Sequence, residues 1–286
     1  MPIDPDRAIG ADLGETTFSW GVSDVLLYHL ALGAGSAPTE PRELRYATER
    51  DLQVLPTFAT VAATIRATEP PAVRFPGIDI DLAKVVHGTQ QVVAHRPLPV
   101  SGTATAHSRI ADVLDKGKAA VIVQETEVTG ESGDPLWTAR SSIFARGEGG
   151  FGGHRGASAR IAPPERDPDL LVDVPTLPQQ ALLYRLCGDR NPLHSDPEFA
   201  RGAGFDAPIL HGLCTYGMVA KAVTDAALDG DVTRVGSWSA TFAGIVLPGE
   251  TLRVRMWHEG GRILVSVTSP DRDDAAVLSD AVLEPA

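Results

Sequence analysis

Between Tyr184 and Gly217 the chain reads YRLCGDRNPLHSDPEFARGAGFDAPILHGLCTYG, which gathers an acid, an amide, an imidazole and a glycine-led helix entrance within a few turns. Asp189 and His194 are types that move protons, and Asn191 between them can fix a water. Gly212 opens an apolar run, and the free N–H groups of a helix start suit an oxygen that gains negative charge during reaction. An acid/base pair beside such a donor can add water to, or remove it from, a double bond conjugated to a carbonyl.

The elements that must hold these residues follow from local chemistry. Leu182, Leu183 and Leu186 recur at helical spacing after Pro178 and before Gly188, which predicts a short helix whose exit presents Asp189. Pro192 fixes its own backbone and pushes Asn191 towards an extended conformation, so that Asp189, Asn191 and His194 can face one space. Asp196 followed by Pro197 predicts an N-cap and a second short helix behind His194. Leu213, Tyr216, Ala220, Val223 and Ala227 predict a long apolar helix from Gly212, with the small Gly217 and Ala220 marking tight burial. An Asp, Asn and Pro cluster after a helix is by default a turn. The complete array of Gly188, Asp189, Asn191, Pro192 and His194 tips the reading to a site. His211 reads as a buried, hydrogen-bonded histidine before it reads as a substrate contact. Cys187 and Cys214 read as small buried thiols.

The run YRLCGDRNPLH resembles the hydratase 2 motif of (R)-specific enoyl-CoA hydratases in the MaoC-like, hot-dog-fold group, and the similarity continues through ILHGLCTYG. More loosely it spans nearly the whole chain and includes hydratases of bacterial steroid side-chain degradation. The resemblance implies that Asp189 and His194 are the catalytic pair, that Asn191 helps hold the water, and that the Gly212 N–H belongs to an oxyanion hole. It also implies a double hot-dog fold of the α+β class, two tandem units each with a long central helix wrapped by an antiparallel sheet.

Composition is compatible with this. The 286 residues suffice for two core-sized units, and 25 basic against 37 acidic residues leave a net charge of −12 with no basic run. That balance argues against nucleic acid and anionic membrane surfaces as partners. Two cysteines cannot form a disulfide framework, the first 30 residues lack a signal-like pattern, and no apolar run approaches a membrane span. A cytoplasmic setting is expected.

The two halves echo each other. Leu26-Leu27-Tyr28-His29-Leu30 matches Leu182-Leu183-Tyr184-Arg185-Leu186, Val54-Leu55-Pro56 matches Ile209-Leu210-His211, and Leu98-Pro99 matches Leu247-Pro248. Matched order implies internal duplication. The N-terminal copy has Gly33 to Pro38 where the polar loop should be, so only the second copy carries the acid and the histidine. Strand-like runs flank Asp115-Lys116-Gly117-Lys118 and Glu259-Gly260-Gly261, each a hairpin. The expected division is residues 1–150 as a non-catalytic, substrate-shaping unit, 151–175 as a Gly/Pro-rich linker, and 176–286 as the catalytic unit.

Other chemistries fit less well. Gly147, Gly149 and Gly152 satisfy a dinucleotide pattern, but Pro163 and Pro164 follow where a helix would be needed. The histidines and cysteines show no zinc-ligand spacing, and no serine-hydrolase elbow occurs. The expected activity is hydration of a 2-enoyl-CoA thioester, or the reverse dehydration, on long or bulky acyl groups, with no cofactor or metal and with a homodimer as the assembly. Arg140, Arg146 and Arg201 could meet the phosphates of CoA, although solvated surface arginines are the simpler account. The alternatives are a hot-dog thioesterase and a non-catalytic acyl-CoA binding subunit.

Overall fold

The computed structural model describes residues 3–69, 74–80, 85–157 and 160–286, and among these, ten strands join into one antiparallel sheet. The first five are β1 (Asp12–Trp20), β2 (Val85–Ala94), β3 (Gly102–Asp115), β4 (Ala119–Gly130) and β5 (Pro135–Arg146). The second five are β6 (Leu170–Pro175), β7 (Val235–Phe242), β8 (Thr251–Glu259), β9 (Arg262–Ser269) and β10 (Ala275–Pro285). Their order is β1-β3-β4-β5-β2-β7-β10-β9-β8-β6. Read inward from either edge the connectivity is the same, so the duplication seen in the sequence is a repeated double hot-dog topology. The units meet at a seam where Thr89 to Val93 of β2 pair with Thr241 to Ser237 of β7.

Strand alternation explains the faces. In β8, Leu252, Val254 and Met256 are buried, while Arg253 points out and grips Asp173 of β6 at 2.9 Å. Leu170–Pro175 therefore belongs to the second sheet half, inside the stretch expected to be linker. Its half-exposed edge position leaves it without the apolar run that marks a central strand.

The helices are α1 (Pro5–Ala8), α2 (Val22–Ala31), α3 (Pro41–Ala47), α4 (Gln180–Tyr184), α5 (Pro197–Gly202) and α6 (Gly212–Ala227). α6 is buried nearly all round, as a helix wrapped by a sheet must be. Tyr216 Oη donates to the Trp238 carbonyl at 2.7 Å and Trp238 Nε1 returns a bond to the Tyr216 carbonyl at 3.2 Å, fastening α6 to β7. A Cβ on Gly217 would stand 2.7 Å from Tyr28 Oη and 2.8 Å from Leu32, so this glycine lets α2 and α6 touch. Lys221 bridges Glu43 and Asp225, and Tyr46 Oη donates to Asp225 at 2.9 Å, tying α3 to the same helix.

The expected central helix of the N-terminal unit is the point of difference. Val54-Leu55-Pro56 leads only into a 3-10 turn, Pro56–Thr60, so among the described residues the double hot-dog has one long helix, α6. Phe75 and Ile78 pack with Ile3, Ala8 and Ile110 in a separate small core. The glycine-rich run after β5 does bind an anion, but an internal one. Gly117, Gly150 and Gly152 donate backbone N–H groups to the Asp115 carboxylate at 2.7–2.9 Å, Gly150 foremost in holding it below the usual carboxylate range.

Candidate active site

The loop after α4 is shaped by three backbone decisions. α4 runs into a 3-10 turn, Arg185–Cys187, that stops at Gly188 with φ 104°. A Cβ there would lie 1.9 Å from the Thr64 carbonyl oxygen, so both conformation and space demand glycine. Next, Asn191 is extended and its Oδ1 accepts from the Leu193 N–H at 3.0 Å, capping the 3-10 turn Pro192–His194. Then Asp196 caps α5 through the N–H groups of Glu198 and Phe199, which fixes the chain behind the histidine. Asp189 Oδ1 accepts the Asn191 N–H at 3.1 Å. Arg190 Nε donates to the Ala67 carbonyl at 3.2 Å. Thr64 and Ala67 belong to the N-terminal unit, so that unit buttresses the loop on both sides of Asp189. No sequence motif marks these carbonyls.

Side-chain atoms of Asp189, His194 and His211 all lie within 4.8 Å of one another, and these three are the set among the described residues able to hold a metal ion. Spacing along the sequence did not reveal it, because His211 arrives from another element. His194 Nδ1 donates to the Ile209 carbonyl at 2.8 Å, which leaves Nε2 with its lone pair in the neutral ring. Burial holds His194 below the ordinary histidine value, against the opposing pull of the Ile209 carbonyl and the Asp189 charge. His211 stacks on it with centroids 3.7 Å apart and donates from Nε2 to the Asp189 carbonyl at 3.3 Å. Burial, with the neighbouring His194, pushes His211 down to about 2. A permanently neutral ring thus backs a titrating one. Tyr184 completes the wall, 5.0 Å from His211.

Gly212 opens α6 as expected, with His211 as N-cap. Cys214 and Thr215 N–H groups already turn to the His211 carbonyl, so the amide of Gly212 precedes the intrahelical ladder, next in the chain to the His211 ring that stacks on His194. A Cβ at Gly212 would meet the Phe242 ring at 3.0 Å. Phe242 in turn lies 4.6 Å from the ring of His87, on β2. His87 and Phe242 line one cleft of about 850 Å³ that also carries Arg140 and Arg146. Arg201 is exposed on α5 and is not part of that lining. Cys187 and Cys214 are free and buried, Cys187 pushed up to about 12 by burial and Cys214 pushed well up by the same cause. Neither thiol is a nucleophile at ordinary pH.

Comparison with known proteins gives the same assignment from both halves. Residues 18–147 match the MFE-2 hydratase 2 N-terminal domain and residues 160–273 match the MaoC like domain. The enoyl-CoA hydratase ChsH3 of Mycobacterium tuberculosis is 60% identical over the whole of both chains. The peroxisomal enoyl-CoA hydratase 2 of Arabidopsis thaliana is 39% identical over 94% of this chain and 91% of its own. The crystal structure of a MaoC-like dehydratase from Phytophthora capsici superposes with a TM-score of 0.90 at 30% identity, covering 99% of this chain and 98% of that one. With both unit models matched in order, full-length relatives of this similarity and the polar loop confined to the second unit, the chain belongs to the MaoC-like hydratase 2 family.

Proposed function

We propose that this protein is an (R)-specific 2-enoyl-CoA hydratase, adding water across the double bond of an acyl-CoA thioester and running as a 3-hydroxyacyl-CoA dehydratase in reverse. The observation that carries the reading is the convergence of the Asp189 carboxylate and the free His194 edge on His211, the N-cap of α6. The Gly212 N–H receives the thioester oxygen as charge grows on it. Asp189 and neutral His194 share the proton work. One takes a proton from water as its oxygen bonds to the β carbon, a proton returns to the α carbon, and the enzyme ends with its starting charge. Asn191 has its Oδ1 committed to Leu193, so its Nδ2 is the group that holds the water. Neither metal nor cofactor enters this mechanism.

Bulky acyl groups are the substrates we infer. The N-terminal unit has a five-residue turn where the catalytic unit has a sixteen-residue helix, so less helix covers the inner face of its sheet. We include a homodimer and a reducing cytoplasmic setting in the proposal, and the free, buried cysteines suit the latter. Loss of enoyl absorbance across a panel of 2-enoyl-CoA esters, with chiral analysis of the product, tests the assignment. Long or ring-bearing esters should exceed crotonyl-CoA in kcat/KM by about tenfold or more, since each buried methylene contributes up to about 0.8 kcal/mol. The product should be 3R, and a 3S product or release of free thiol from a saturated acyl-CoA refutes the reading.

A further inference from the structure

Three consecutive residues hold both members of the acid/base pair. The Leu210 N–H donates to the Val246 carbonyl at 2.8 Å, which pins the segment 209–211 just ahead of α6. On one side of Leu210 the Ile209 carbonyl accepts from His194 Nδ1 at 2.8 Å. On the other side the His211 ring stacks on His194 and donates from Nε2 to the Asp189 carbonyl at 3.3 Å. His211 therefore touches His194 through its face and Asp189 through its edge. At 1% exposed it does so from behind the site, out of reach of a substrate.

The ring is held there at a cost to stability. With Nε2 donating, Nδ1 is an acceptor, and among the described residues nothing donates to it. The hydroxyl of Tyr184, whose ring lies 5.0 Å away, is likewise buried without a partner. A buried acceptor left unpaired is destabilising, and a phenyl ring of similar shape would avoid the penalty. The other unit does avoid it. In the match of Val54-Leu55-Pro56 with Ile209-Leu210-His211, Pro56 stands where His211 stands, and that unit has no acid and no histidine in its loop. Its segment is held differently, the Leu55 N–H donating to His29 Nε2 at 3.2 Å. The polar ring occurs in the unit that has a proton-transferring pair to hold.

We propose that His211 is a positioning residue for the hydration, fixing Asp189 and His194 relative to each other and keeping water off the His194 ring. The proposal rests on the hydratase reading. The donor end of His211 sets where the Asp189 backbone lies, its face sets the plane of the His194 ring, and the same segment runs directly into Gly212. The titratable and charged groups around the pair are Arg185 and Tyr184 from the α4 side, His87 from β2, and His211 itself. Burial foremost, then His194 and Arg185, disfavours a charge on His211, so it stays neutral while His194 gains and loses a proton.

Two variants separate positioning from packing. His211→Phe keeps a flat ring and deletes the donor, and His211→Ala deletes both. In each, kcat for enoyl-CoA hydration should fall by roughly 10- to 100-fold with KM within about twofold of wild type, as a misplaced pair and an untouched substrate require. Tm should hold or rise in His211→Phe, which removes the unpaired nitrogen, so that its loss of rate is not a loss of fold. The nitrogen-15 signals of His194, identified by their disappearance in His194→Gln, give a readout independent of turnover. Their titration midpoint should stay in place in His211→Phe and move up, towards the ordinary value of about 6.5, in His211→Ala, where water reaches the ring. The acid limb of kcat/KM should move with it. A kcat within about twofold of wild type in His211→Ala, a His211→Phe rate that falls only as its Tm falls, or an unmoved His194 midpoint in His211→Ala overturns the proposal. If the wild type hydrates no enoyl ester, the hydratase reading fails, and the midpoint still decides whether His211 shields the His194 ring.

Discussion

The two side chains at the centre of the site owe their chemistry to different constraints. His194 is oriented by one carbonyl, that of Ile209, and kept neutral by burial, whereas Asp189 is part-exposed and held by the Asn191 N–H. Asp189→Asn and His194→Gln should each lower kcat by roughly 10²–10⁴-fold, the range for a lost general acid or base, with circular dichroism unchanged. Near wild-type turnover in either variant would remove that residue from the mechanism. The pH profile follows from the downward shift of His194. A base must be neutral to act, and its protonation in the folded protein is postponed to below the ordinary value of about 6.5. The rate should therefore hold as pH falls through about 6.5 and decline only at more acid values, and an acid limb centred above that point would contradict the shift. His211 contributes no limb of its own, being neutral down to about 2.

Among the elements, glycines decide what can approach what. Gly217→Leu would push into Tyr28 and Leu32 where α2 crosses α6. Overpacking of roughly 1–3 kcal/mol should lower Tm by several degrees without altering the site's residues. A melting temperature equal to wild type would mean that α2 can retreat. Gly188→Ala is harsher, because a carbonyl occupies the space and the backbone is left-handed. These elements were legible in the sequence to different degrees. The loop from Gly188 to His194 was readable because each of its residues has a local backbone reason, cap, turn or stop, that spacing alone reveals. α6 was readable from its apolar period. The missing helix of the N-terminal unit was not, since Val54-Leu55-Pro56 preserves a helix entrance and says nothing of how far the helix runs. β6 was hidden by its short, half-exposed edge position among prolines. His87, Thr64 and Ala67 reach the site only through pairings distant in sequence, which no local pattern encodes.

At the scale of the whole molecule, the seam of β2 and β7 makes one sheet of two units, and the N-terminal backbone props the loop that carries Asp189. A chain beginning at Asp167 keeps Asp189, Asn191, His194 and Gly212 but exposes the β7 edge and loses the support of Thr64 and Ala67. It should be insoluble or inactive, and a soluble half with full kcat would show the first unit to be dispensable. The seam also has a meaning in time. β2 leaves the ribosome about 150 residues ahead of its partner strand, a delay of roughly 10–30 s at about 5–20 residues per second. Throughout that interval the nascent N-terminal unit presents a bare strand edge, ready to pair with whatever neighbouring chain offers one. Yield in a cell should then depend on holdase capacity and translation speed more than on the equilibrium stability of the finished fold.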